Sequence, residues 1–294
     1  MQPWAEFLKS KPVDLFAELG AYEYLWSQPE STTKRIAELF RSNPGCLPSD
    51  LIGEEDALKA AKRVLEIFSE KGIHQFGFSV NGTMAYPLGL RSAKDPVEFL
   101  YHQGDLGLLD AKNRIAVVGT RKVSTEGASR TKKLVKELVK RNVVVVSGLA
   151  EGVDTVAHVT AINEGGATIA VIGTPLSDFY PKPNATLQAH IANHFLLVSQ
   201  VPVLRYYSQD YRWNRSFFPE RNKTMSALTH ATVIVEAGET SGTLIQAKAA
   251  LEQNRKLFIL ESNFNNPAIS WPARYQALGA IRVKSFDDIE AHLK

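Results

Sequence analysis

The sequence predicts an α/β protein with a doubly wound, mainly parallel sheet, preceded by a small helical N-terminal module. Three observations predict it. Short β-branched-rich runs recur between residues 115 and 260. They are apolar throughout rather than alternating, as strands buried on both faces are. The segments between them have apolar residues at helical spacing, and strand–helix–strand repetition implies right-handed crossovers in one parallel sheet.

Taken in order, residues 1–85 are mostly helical in pattern, with Ala57, Ala60, Ala61, Val64, Leu65 and Phe68 tracing one apolar stripe over 54–71. Residues 86–110, marked by Pro87, Pro96 and several glycines, read as a connection into the sheet domain. The apolar runs then fall at 115–118, 143–146, 168–172, 195–198, 232–235 and 257–260. Between the first two, Ala128, Thr131, Leu134, Val135 and Leu138 lie on one helical face, leaving Lys132, Lys136 and Lys140 on the other. A polar stretch at 261–272, a further strand at 280–283 and a closing helix from about 286 complete the chain. The expected division is a helical module over 1–85 and a sheet domain over 86–294.

Composition narrows the class. With 44% apolar and 22% charged residues among 294, a sizeable core forms. One cysteine, Cys46, excludes an internal disulfide and any multi-thiolate metal site, as expected of a reducing, cytoplasmic location. The opening segment 1–16 has no apolar core of a secretory leader. The longest purely aliphatic run, 143–146, is far short of the roughly 20 residues of a membrane span. The net charge of +3 is modest, but between residues 112 and 159 ten basic residues face four acids. A local excess of that kind attracts polyanions.

Ligands of open parallel sheets gather where strands turn into helices whose first N–H groups are unpaired. After the first run comes Gly119-Thr120-Arg121; after the second, Ser147-Gly148-Leu149-Ala150-Glu151-Gly152; after the fifth, Ala237-Gly238-Glu239-Thr240-Ser241-Gly242-Thr243. Each combines glycine with hydroxyl groups, and together they predict a phosphate cradle. None matches a dinucleotide-binding or P-loop motif, and no cofactor or metal is expected. Arg121 is suited to bidentate phosphate contact. A second cluster (Tyr206, Tyr207, Tyr211, Arg212, Trp213, Arg215, Phe217, Phe218, Arg221 and Lys223) has the composition of a single-strand binder, which pairs flat rings with cations. For Phe217 and Phe218, packing under a loop or in a dimer contact is the expected use. Asp154 and His158, four residues apart, are expected to be a helix-capping carboxylate and a satisfied core histidine rather than an acid/base couple.

These residues resemble a known family. Gly119-Thr120-Arg121, Ser147 through Asp154 with Ala157-His158, Tyr180-Pro181-Lys182-Pro183-Asn184, Phe218-Pro219-Glu220-Arg221-Asn222, and Val235-Glu236-Ala237 followed by Ser241-Gly242-Thr243 are similar, in order, to the motif series of DprA/Smf (DNA-processing protein A) proteins. The resemblance implies an extended Rossmann-like fold, sequence-independent binding of single-stranded DNA, a homodimer, and delivery of a RecA-type recombinase during DNA uptake. It gives Arg121 and Lys182 the DNA backbone, and places Ser147, Gly148, Asn184, Arg221, Asn222, Lys223, Ser241, Gly242 and Thr243 with Gly119 and Thr120 around the same pocket. Thr120, Gln200 and Lys223 stand where the family commonly has serine, glutamate and arginine. Leu260 is followed by Glu261-Ser262-Asn263 rather than proline–glycine. These departures mark a diverged member, expected to lack the C-terminal winged helix.

The expected function is therefore a non-enzymatic binding protein with no catalytic residues. Two alternatives stand beside it: a sensor of free nucleotide, and a lonely-guy-type nucleotide N-glycoside hydrolase using Glu236. The second requires the Glu236 carboxylate near a ribose, whereas a buried structural role is the favoured reading.

Overall fold

The computed structural model describes residues 13–293. Residues 1–12 of the predicted helical module, where most of the leader-free reading of 1–16 falls, lie outside the described residues, as does residue 294.

The described residues open with three helices, α1 (Leu15–Ser27), α2 (Thr33–Ser42) and α3 (Glu54–Glu70). Asp14 caps α1 through the amides of Phe16 and Ala17, and Thr32 caps α2 through that of Arg35. Two strands follow, β1 (Gly77–Val80) and β2 (Phe99–Gly104), then β3 (Arg114–Val118) and its crossover helix α4 (Thr125–Lys140). The pattern continues with β4 (Val144–Ser147), α5 (Val153–Asn163), β5 (Thr168–Ile172), α6 (Ala185–His194) and β6 (Leu196–Ser199). Three consecutive helices, α7 (Val203–Ser208), α8 (Tyr211–Asn214) and α9 (Phe217–Ala227), lead to β7 (Ala231–Ile234) and α10 (Thr243–Glu252). The remainder is β8 (Lys256–Leu260), α11 (Glu261–Phe264), α12 (Trp271–Ala277), β9 (Ile281–Val283) and α13 (Asp287–Glu290).

Among the described residues, nine strands form one sheet in the order β1-β2-β6-β5-β4-β3-β7-β8-β9. From β6 to β9 every neighbour is parallel, whereas β2 runs antiparallel to both β1 and β6. The expected doubly wound α/β fold is therefore present. A correction concerns the stretch read as a connection over 86–110, which contains β2, while β1 lies N-terminal to residue 86.

Side chains alternate across the sheet as the strand period of two requires. Ala116 and Val118 enter the core beneath α9, α10 and α12, while Ile115 and Val117 enter the one beneath α4 and α5. The N-terminal helices cover the same face as α4 and α5, further along the sheet. There Leu19, Tyr22 and Phe68 join Phe99, Tyr101, Ala170 and Leu197 in a third cluster. Residues before 86 thus share a core with the central strands.

Glu23 ties the helices to the sheet. It is fully buried and accepts hydrogen bonds from the Tyr101 hydroxyl and, at 2.8 Å each, from the Val203 and Leu204 amides. Burial pushes its carboxyl up to about 7, against the pull of those donors. The folded chain holds this proton more tightly than the unfolded chain. The resulting stabilisation is complete below the ordinary glutamate range and is lost as pH rises through about 7. Glu23→Gln fixes the neutral form. Its stability relative to wild type should therefore rise by about 2 kcal/mol between about pH 5 and pH 7. Urea unfolding at both pH values measures this, and a constant difference between the two proteins would contradict it.

Candidate functional site

Chain order reverses between β3 and β7: β3 through β6 build one wing of the sheet, β7 through β9 the other. A crevice opens at such a switch point, beyond the carboxyl ends of the strands. Here it is a cleft of about 490 Å³ between the turn after β3, the α9 face and the loop before α10. Gly119, Thr120, Arg121, Arg221, Asn222, Ser241, Gly242 and Thr243 all line it, together with Ala150, Asp154, Phe218 and Thr240. A smaller recess of about 90 Å³ continues from it, lined by Gly148, Glu151, Tyr180 and Pro181 and sharing Arg121, Phe218 and Arg221 with the cleft.

Local geometry fixes the rim. The Thr120 amide donates to the Glu236 carbonyl at 2.7 Å, tying the β3 turn to the end of β7. Gly152, which starts α5, has φ +77° and ψ −125°, and a Cβ there would run into the carbonyl oxygens of Thr120 and Arg121. Only glycine satisfies both constraints. On the opposite rim the Thr243 hydroxyl donates to the Gly119 carbonyl at 3.1 Å, and the Ser241 hydroxyl donates to Thr243 Oγ1 at 3.0 Å. Gly238 and Gly242 have open space where a side chain would stand, so their backbone is approachable. The ten-residue helix α10 begins beside them, its first amides engaged within the loop: that of Thr243 donates to Ser241 Oγ at 3.2 Å, that of Leu244 to the Ser241 carbonyl at 3.0 Å and that of Ile245 to the Gly242 carbonyl at 3.1 Å. Arg121 is exposed, its guanidinium 6.0 Å from the centroid of the half-buried Phe218 ring. Approachable glycine backbone, hydroxyls and an exposed guanidinium surround one cleft whose lining carboxylate, Asp154, is buried and engaged by the Gly148 and Ala150 amides; such a set is suited to an anion.

Beneath this rim lies a buried charged layer. Arg221, nearly inaccessible, donates to the carbonyls of Gly148 and Val171, the latter at 2.6 Å, and its Nε donates to Asn222 Oδ1 at 2.9 Å. Its guanidinium fills the space a Cβ on Gly148 would need, so that glycine admits the arginine. Burial pushes Arg221 down to about 10, opposed by the Asp154 charge. Asp154 accepts the Gly148 and Ala150 amides at 3.1 and 3.4 Å; burial raises its carboxyl while Arg221 holds it down. Asp154 thus organises the turn from β4 into α5. His158 lies in the core, bonded through Nδ1 to Thr168 Oγ1 at 2.7 Å, and burial pushes it down to about 3. It is neutral and away from the cleft.

Other sequence-predicted residues are placed elsewhere. The Ser147 hydroxyl donates to the Val117 carbonyl at 2.7 Å, and Asn184 donates to the Leu149 carbonyl and Thr155 Oγ1 at 2.8 Å each. Both are buried scaffold contacts below the cleft. Lys182 is exposed just after the Tyr180–Pro181 cis peptide, next to the recess. Lys223 pairs with Glu220 at 2.8 Å and lines a different surface hollow, beside Thr33 and Asp95. Much of the basic excess over 112–159 is neutralised: Lys136 pairs with Glu164, Lys140 with Glu137, and Arg141 with Glu137 and Glu290. Glu236 turns from the cleft, its carboxylate accepting the Ser124 amide and hydroxyl at 3.0 and 2.6 Å and pairing with Arg130 at 3.3 Å.

Phe217 packs in the core with Trp26 and Tyr206 as expected, but Phe218 does not. It lines both cleft and recess and meets Tyr180 at 5.4 Å. Its place directly before the Pro219–Asn222 segment that enters the cleft was the available signal.

Comparison with known proteins bears on the family and the fold. The family model described as DNA recombination-mediator protein A matches residues 78–294. DNA processing protein DprA of Bacillus subtilis is 35% identical over 227 residues, 77% of this chain and 73% of that protein. The protein of the same description from Streptococcus pneumoniae is 39% identical over 175 residues, 60% of this chain and 59% of that one. Among solved structures, DNA processing protein A of S. pneumoniae superposes with a TM-score of 0.73 at 28% identity, over 94% of this chain and 98% of that one. The Helicobacter pylori DNA processing protein A, whose structure describes a single-stranded DNA binding mode, gives 0.62 at 27% identity over 74% and 95%. No helix among the described residues is long and apolar enough to cross a membrane.

Proposed function

The chain belongs to the DNA recombination-mediator protein A family, and from that membership we propose that it binds single-stranded DNA without sequence preference along the cleft at the β3/β7 switch. The observation that carries this reading is the convergence of Arg121 and the open backbone at Gly238 and Gly242 on one cleft with Phe218 at its side. Phosphates take the open glycine backbone and the guanidinium; bases take the ring face. The single-stranded DNA binding mode described for the H. pylori protein supports the same ligand class. Handing the strand to a RecA-type recombinase, as a homodimer in the cytoplasm, completes the proposal.

A labelled oligothymidine titrated at several salt concentrations tests it. Affinity should fall with log salt by roughly 0.7 per phosphate contacted. Arg121→Ala should weaken binding about 10- to 100-fold, the loss of one or two charge-assisted hydrogen bonds. Lys182→Ala should weaken it less and lower the salt slope by about one. A wild-type protein that ignores the oligonucleotide in dilute buffer would end the proposal. So would release of base from a nucleotide panel, abolished by Glu236→Gln, although the engagement of both Glu236 oxygens speaks for a scaffold role.

A further inference from the structure

The most exposed large aromatic rings near the cleft belong to α8, which the binding reading does not use. Trp213 and Tyr211 are 70% and 63% exposed, whereas Trp26 and Trp271 are buried. The backbone beneath them is firmly held. Asp210 caps the Arg212 amide at 2.8 Å; the buried Asn214 donates to the Tyr206 carbonyl at 3.0 Å and accepts from Gln209 Nε2 at 2.6 Å. A turn closed by the Ser216 amide on the Trp213 carbonyl at 3.0 Å joins α8 to Phe218 and the cleft. Five residues of helical turn carry the chain only about 8–10 Å, a distance of a few nucleotides. A fixed backbone presenting uncovered rings costs a ligand little ordering entropy, and exposed aromatic surface of this kind marks an interaction site.

Charge decides the occupant. Residues 205–215 hold three arginines and one acid, and that acid is spent on the α8 cap. Arg212 and Arg215 are exposed, the former with its guanidinium 5.8 Å from the Tyr211 ring centroid. Two copies of this patch meeting across a twofold would set arginine against arginine, whereas a polyanion carrying flat bases complements both features. We propose that Trp213 and Tyr211, flanked by Arg212 and Arg215, form a stacking platform for bases of the single strand beyond the cleft. This rests on the cleft reading above and extends it: the platform lengthens the site and senses strand length.

The test uses the full chain with two oligothymidines, one of about 4 nucleotides that fills the cleft alone and one of about 16 that reaches α8. Trp213→Ala should lower affinity for the long strand about 5- to 150-fold, the range of one lost stacked base, and leave the short strand unaffected. Trp213→Phe should recover most of the loss. The long strand alone should quench the part of the tryptophan emission that Trp213→Phe removes. Equal affinity of wild type and Trp213→Ala for the long strand would overturn the platform and leave the cleft reading standing. No binding of either strand by wild type would overturn both. Loss of both strands together with a change in sedimentation would make the patch a subunit contact, which also overturns the platform.

Discussion

Replacing Arg221 by methionine should lower unfolding free energy by about 3–5 kcal/mol, the cost of removing one member of a buried charged pair. The side chain spans the floor of the cleft, donating to the Gly148 and Val171 carbonyls and facing Asp154. Methionine fills the volume but leaves those carbonyls unpaired and the Asp154 carboxylate without its counter-charge. Urea unfolding near neutral pH gives the magnitude. The double variant Arg221→Met/Asp154→Leu should be less destabilised than the sum of the single changes, because each removes the other's penalty. A single-variant loss under about 1 kcal/mol would show that water enters the layer, making Arg221 a ligand group rather than a scaffold.

Gly152→Ala should cost about 2–6 kcal/mol, from a backbone region unfavourable to residues with a Cβ and from collision with the two rim carbonyls. Unlike the arginine change, it acts on the rim directly. The carbonyls displaced are those of Thr120 and Arg121, so oligothymidine affinity should fall at temperatures where the variant is still folded. A variant that melts earlier yet binds as tightly as wild type would show that the rim tolerates the shift.

The parallel wing was legible because strands buried on both faces need continuous apolar runs, and those at 115–118 and 168–172 fall on β3 and β5 within a residue. The antiparallel edge was not. Phe99-Leu100-Tyr101 is too short a signal beside His102, Gln103 and the surrounding prolines and glycines, and its partners lie far along the chain, at Phe78 and Ser199. At the site, glycine and hydroxyl after a strand announced the cleft, and Gly119, Arg121 and Thr243 line it. Whether a polar side chain faces a ligand or the scaffold depends on contacts remote in sequence. Arg221 reaches back to Gly148, and Asn184 to Leu149, through bonds no local pattern encodes. The ion pairs of Lys136 with Glu164 and of Arg141 with Glu290 are hidden for the same reason, whereas that of Lys140 with Glu137 lies three residues apart on one helix.

The two borders of the sheet are brief, four residues at β1 and three at β9. Strands this short give a neighbouring molecule few main-chain groups on which to zip. If the proposed strand binding holds, molecules crowded along one nucleic-acid thread would have little means of fusing edge to edge into fibrils.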